Sequence, residues 1–316
     1  MSTDSWFIPR GRGPRRPVFG SDDRRLIVDL VTFTTDDKHT WDGIIFHPRG
    51  DNERRRRIAV LVVHGSVGNY ITGVPRRISF ALANAGFTVL SANTRMANYG
   101  VFFGGGLMHR TPLDIEAALN VLRRRGFRRI VLLGFSMGST LVTYHHALKQ
   151  SPDVVGVCTL AHPASLPGAL HLRWNYFGAN PGYDEVAEIV RERLGPDYER
   201  SPSDRIFLVR NARGFGQRPL DCEIWTYRTW WFSRGPEAMH AISRLQVGRI
   251  NVPFAIIQAG EDELITDREG TELEMLARQG GCPSVFHHTV PGADHLFTGR
   301  DRQLTDAVVS WLDERL

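Results

Sequence analysis

Cysteine is scarce in this chain: Cys158, Cys222 and Cys282 are the three in 316 residues. An odd number with no Cys-x-x-Cys pair and no Cys/His spacing argues against a disulfide framework or a zinc module. No apolar run approaches the length of a membrane span, and no N-terminal stretch has the pattern of a secretory leader. A cytoplasmic protein without a membrane partner is therefore expected. No internal repeat occurs, and the only biased tract is the basic stretch near the N-terminus. No metal-ligating cluster is visible, and Gly104-Gly105-Gly106 is not a dinucleotide fingerprint after a strand. Neither metal nor cofactor is expected. Surplus charge is also scarce, since the net charge is only +5. Arg10, Arg12, Arg15 and Arg16 lie in the expected disordered tail, residues 1–22, and against Asp4 they give residues 1–20 a balance of +3, while Arg54 to Arg57 add +4 and leave −2 for everything else. The remainder is slightly acidic, so no basic surface exists to grip phosphates and nucleic acid is not an expected partner. The Arg54 to Arg57 run reads as a solvated strand entry.

Apolar residues are plentiful, at 42%, against 23% charged, which suits a globular chain with a large core. Leu26 to Thr34 and Trp41 to His47 read as a hairpin around Thr35-Asp36-Asp37-Lys38. Ile58 to Val63 is a continuous, largely β-branched run, as a strand buried on both faces should be. A helix over about Pro75 to Ala85 follows, then a strand over Phe87 to Ser91. Thr111-Pro112-Leu113-Asp114 reads as a helix start with Thr111 as cap and an acid in the first turn. Further strands fall at Ile130 to Leu133, Val154 to Leu160, Phe254 to Ala259 and Ser284 to Val290. Helices fall over Asp267 to Gln279 and about Arg300 to Leu316. Strands alternating with helices specify an α/β fold with a mostly parallel sheet and an antiparallel opening pair.

Gly134-Phe135-Ser136-Met137-Gly138 stands between a strand and a helix-like stretch. Residues two before and two after the serine have no side chain, as a very tight turn demands. In this context the motif resembles the nucleophile elbow of the α/β-hydrolase superfamily, and the resemblance extends over roughly residues 25 to 316. It implies Ser136 as nucleophile, followed in chain order by an acid and a histidine. Pro291-Gly292-Ala293-Asp294-His295-Leu296-Phe297 resembles the histidine loop and makes His295 the base. The acid falls in Gly260-Glu261-Asp262-Glu263-Leu264-Ile265. Aligning Ala259 with the family's glycine makes it Asp262, and aligning Gly260 makes it Glu263. Asp262 is preferred because Asp-x-Leu-Ile has the usual apolar follow-on. His64-Gly65-Ser66-Val67-Gly68 resembles the oxyanion loop. The oxyanion donors are then the amides of Met137 and of Ser66 or Val67, with Ser66 favoured. His64 itself reads as a structural histidine that holds this loop. Within the superfamily, Asn93-Thr94-Arg95 and the stretch from Gly104 to Asp114 resemble esterase-like proteins that include fungal siderophore-ester hydrolases. The chain departs from that pattern at Met96-Ala97, where Gly-His is common.

About ninety residues separate the strand ending near Ala161 from the one starting near Val252, far more than an ordinary connection. The expected organisation is a hydrolase core over 23–162 and 251–316 and an inserted cap or lid over 163–250. The insert is rich in aromatics, and Trp230 or Trp231 is expected to face the substrate. The reading that follows is a serine hydrolase of a fairly bulky carboxylic ester, thioester or lactone. The alternatives are the same triad used for acyl transfer, C–C cleavage or cyclisation, and a non-catalytic binding protein. The partner is a small molecule. A homodimer is compatible with the sequence, which leaves the oligomeric state open.

Overall fold

The computed structural model describes residues 26–66, 68–97, 105–195, 206–212 and 222–316. The expected basic tail, Val67 and Gly104 lie outside the described residues. Eleven strands occur among these: β1 (Val28–Thr34), β2 (Thr40–Phe46), β3 (Ala59–Val63), β4 (Thr88–Ala92), β5 (Ile130–Phe135), β6 (Val154–Leu160), β7 (Ala179–Asn180), β8 (Ile206–Asn211), β9 (Cys222–Thr226), β10 (Phe254–Ala259) and β11 (Val285–Val290). The main sheet has eight strands in the order β1-β2-β4-β3-β5-β6-β10-β11. Only β2 runs against the rest, because it pairs antiparallel with both β1 and β4 while the other pairs are parallel.

The central strands β3 and β5 are buried at every position. Their alternate side chains enter two different cores, as the period of two requires. Leu61 and Leu132 join one core with Ile115, Leu119 and Leu122 of helix α3 (Thr111–Arg124) and with Leu141 of α4 (Met137–Lys149). Val60, Val131 and Leu133 join the other with Ile78 and Leu82 of α2 (Gly73–Asn84) and Trp311 of α9 (Asp301–Arg315). Helices thus cover both faces, and every loop at the carboxyl end of a parallel strand opens at the same edge. That edge is where open α/β sheets hold their ligands.

One local reading is refined and one is corrected. The Arg54 to Arg57 run leads into β3 and is largely exposed, as expected, but it is not extended. Its first residues form the helical turn α1 (Glu53–Arg56), and Arg55 forks onto Asp313 of α9 at 3.0 and 2.5 Å. Thr111 is not the cap of α3 but its first residue, since Arg110 occupies the cap. Asp114 does not merely serve the helix dipole. It is fully buried and receives Arg95 Nε at 2.9 Å, Arg95 Nη2 at 2.8 Å and Trp41 Nε1 at 2.9 Å. Arg95, only 1% exposed, also forks onto Asp37 at 2.9 and 3.1 Å.

Between β6 and β10 the chain builds α5 (Leu166–Phe177), α6 (Tyr183–Leu194), α7 (Tyr227–Arg234) and a second sheet, β7-β8-β9. Strands β8 and β9 were not foreseen, because one face of each is exposed and their apolar signal is short. The insert has its own hydrophobic cluster, centred on Leu170, Trp174, Tyr183, Val190, Trp230 and Trp231. Helix α8 (Asp267–Gln279) follows β10 and opens with a capping box between Thr266 and Glu269. Among the described residues, no helix is long and apolar enough to cross a membrane.

Candidate active site

Ser136 caps α4 at the end of β5 with φ +53° and ψ −120°. A non-glycine residue there is strained, and the surroundings hold it in place. Its amide donates to Leu160 O at 2.8 Å. The flanking glycines are obligatory for steric reasons. A Cβ on Gly134 would lie 2.3 Å from Gly138 O, and one on Gly138 would lie 2.3 Å from Val63 O. Ser139 locks the turn from below, donating its hydroxyl to Gly134 O at 2.9 Å.

The loops after β10 and β11 converge on this serine. His295 Nε2 lies 3.0 Å from Ser136 Oγ, and His295 Nδ1 lies 2.8 Å from Asp262 Oδ2. An ionised carboxylate only accepts, so Nδ1 carries the proton and Nε2 is free to accept from the serine hydroxyl. Asp262 is itself fixed, because Oδ1 accepts from the amides of Leu264 at 2.8 Å and Ile265 at 3.0 Å. The apolar follow-on thus supplies the backbone turn that aims the acid. Glu263 does not reach the imidazole ring; its carboxylate accepts from the His295 backbone amide at 3.2 Å. The Phe135 ring lies beside the imidazole, with centroids 5.4 Å apart.

Met137 opens α4, and the first amides of a helix have no acceptor within it. The positive end of the helix dipole thus lies beside Ser136, the residue that caps it. Ser66 follows β3 and lines the same cavity as Ser136 and His295. His64 is fully buried. Its Nε2 accepts from the Thr94 amide at 3.2 Å, so the proton sits on Nδ1, which faces Gly65 O at 2.9 Å. Burial pushes its pKa down to about 4, and the ring is a neutral brace between the loops after β3 and β4.

The cavity above Ser136 measures about 290 Å³. Its roof comes from the insert, through Leu166, Ala169, Leu170, Arg173 and Arg234, and Leu264, Ile265 and Leu296 supply apolar wall from the acid and histidine loops. Trp230 and Trp231 are not among the lining residues, which corrects the expectation for both. Trp230 is 0% exposed and stacks on Trp174 with centroids 6.2 Å apart, and Trp231 is 3% exposed under Arg191. Both rings lie in the insert's own hydrophobic cluster. Sequence reasoning missed Arg173 and Arg234. Arg234 ends the aromatic run that drew attention to the tryptophans, and its own charge was the signal.

A family model described as the Alpha/beta hydrolase family matches residues 59–307. An esterase of Pyrococcus furiosus has a similar structure, with TM-score 0.61 at 17% identity, covering 92% of this chain and 92% of that one. The esterase Est1E of Butyrivibrio proteoclasticus is similar at TM-score 0.59 and 14% identity, over 90% of this chain and 98% of its own. A hypothetical protein of Pseudomonas aeruginosa is similar at TM-score 0.64 and 14% identity, over 99% of this chain and 100% of its own. No curated protein is a match for the chain by sequence.

Proposed function

The chain belongs to the alpha/beta hydrolase family, and from that premise we propose that it is a serine hydrolase that cleaves a carboxylic ester, or a thioester or lactone, of a small molecule. The observation that carries this reading is the unbroken run Asp262–His295–Ser136, with contacts of 2.8 and 3.0 Å. His295 Nε2 takes the Ser136 proton as Oγ attacks the carbonyl carbon. Negative charge then builds on the carbonyl oxygen, where the Met137 amide and an amide of the Ser66 loop receive it. Asp262 stabilises the imidazolium without taking its proton. Collapse of the intermediate breaks the bond to the leaving oxygen, which takes the proton from Nε2 and departs. Water repeats the sequence on the acyl-enzyme, which regenerates Ser136 and releases the acid.

The insert acts in this reading as a cap. The aromatic count suggested a bulky substrate, but those rings pack on one another. At about 290 Å³ the cavity lies near the lower end of small-molecule sites, and a compact ester fits it better.

A fluorophosphonate probe and a panel of p-nitrophenyl esters test the reading. Wild type should be labelled and should turn over esters, and Ser136→Ala should lose the label and roughly 10⁴–10⁶ of kcat. Retention of more than about a tenth of the activity by Ser136→Ala would sink the mechanism.

A further inference from the structure

The roof of the cavity contains a guanidinium that the ester chemistry above does not use. Arg234, at the end of α7, is 6% exposed and lines the cavity together with Ser136 and His295. Its Nη2 donates to Ser66 Oγ at 2.6 Å and its Nη1 to Ser233 O at 2.9 Å. A guanidinium has five N–H donors, and these two bonds to neutral oxygens are all it makes among the described residues. No carboxylate pairs with it there. The Trp225 ring lies 5.9 Å from its Cζ and covers one face. Tyr183 donates to the Arg234 carbonyl at 2.5 Å, which fixes the backbone that carries the charge.

The neighbouring charges do not neutralise it. Arg173 also lines the cavity, but Glu223 takes that charge at 2.7 Å from both carboxylate oxygens. Glu223 is further occupied by the indoles of Trp174 at 3.2 Å and Trp225 at 3.1 Å. Two arginines therefore face one carboxylate, and no Asp or Glu is among the residues lining the cavity. Burial first, and then the repulsion of Arg173, lower the Arg234 pKa to about 10, which still leaves it protonated at neutral pH. A buried, hydrogen-bonded but unpaired cation is costly unless something anionic compensates it.

We propose that Arg234 is a specificity-determining residue and that the substrate is an ester bearing a carboxylate, which forks onto the Arg234 guanidinium while the ester carbonyl sits at Ser136. This inference rests on the serine-hydrolase reading for the reaction but on Arg234 alone for the anion. Arginine suits a carboxylate because its fork matches the two oxygens. The bond from Nη2 to Ser66 Oγ adds a coupling: the anion site and the oxyanion loop share one side chain, so an anchored substrate also steadies the loop that receives the developing charge.

The test compares charge at constant shape. Mono-p-nitrophenyl esters of adipic, pimelic and suberic acids carry the carboxylate on the acyl side, and their methyl-capped diesters are the neutral partners. 4-Acetoxybenzoate and its methyl ester place the charge on the alcohol side. Wild type should prefer the anionic member of one series by roughly ten- to a hundred-fold in kcat/KM, the range of a charged hydrogen bond. The preference should appear mainly in KM. Arg234→Gln should bring that ratio close to one, and Arg234→Lys should keep part of it. A wild-type ratio near one in both series would overturn the proposal, as would a ratio that survives Arg234→Gln. Equal losses on both members would reduce Arg234 to a brace for Ser66. If Arg234→Gln does not fold, the wild-type ratio decides, together with competition by free adipate against a neutral ester. Calorimetric binding of adipate against dimethyl adipate reads the same site without turnover. Adipate binding that Arg234→Gln abolishes, in a protein that cleaves none of these esters, would sink the hydrolase reading and leave the anion site standing.

Discussion

Glu263 holds His295 by its backbone, through the amide at 3.2 Å, while the adjacent Asp262 takes the imidazole at 2.8 Å. Two neighbouring carboxylates thus act on one histidine at different atoms. Their substitutions should separate cleanly. Asp262→Asn should lower kcat by roughly 10⁴, the effect of the wrong tautomer in such a triad. Glu263→Gln should cost at most about ten-fold, since only a backbone anchor is weakened. Steady-state kinetics on one p-nitrophenyl ester decides, and a reversed order would move the acid to Glu263.

Trp230 and Trp231 should behave alike. Each is buried in the insert, so replacement by alanine should cost stability by about 3–5 kcal/mol. KM for a small ester should stay nearly unchanged where the variant remains folded. A selective rise in KM from either variant, with the melting temperature intact, would return that ring to the cavity.

Removing Asp114 should be among the most damaging changes far from the serine. It leaves Arg95 buried beside Asp37 alone. Breaking one partner of a buried pair costs about 3–5 kcal/mol. Urea denaturation of Asp114→Asn measures this, and a loss under about 1 kcal/mol would mean the cluster is far wetter than its burial implies.

Acidification should destabilise the fold before the carboxylates titrate. Burial pushes His162 down to about 3 and His64 and His240 down to about 4. Neither ring nitrogen of His162 has a partner among the described residues. A histidine unfolds to an ordinary value near about 6.5, so below that pH the unfolded chain binds the extra proton. Stability is therefore full above about pH 6.5 and falls between there and pH 4, by up to about 1.4 kcal/mol per pH unit for each such ring. His162→Leu should flatten that slope by one proton in a melting series over pH. An unchanged slope would show that His162 takes its proton inside the fold.

The sheet and the serine–histidine–acid geometry were legible because each rests on short-range rules. Continuous β-branched runs give buried strands, and Gly134 and Gly138 are demanded by atoms that the turn itself brings close. The choice between Asp262 and Glu263 was harder, since neighbouring carboxylates look alike along the chain. Only the three-dimensional turn, with Asp262 taking the Leu264 and Ile265 amides, separates them. The insert was least legible. Its strands are short and half exposed, and its aromatics signal burial equally well whether they face one another or a ligand. The burial of Arg95 and Arg234 was illegible for a related reason: a lone arginine ordinarily lies in solvent, and nothing local reveals that a distant element will cover it.

Gly138 meets Val63 O so closely that β3 and the elbow cannot be moved apart or together by side-chain exchange. For protein engineering this divides the molecule into a fixed reaction frame and an editable chamber. Library members that change Gly134 or Gly138 would be lost to the turn itself. Diversity confined to Ala169 and Arg173, which line the chamber without belonging to a core, would vary what enters it while the geometry of attack is inherited unchanged.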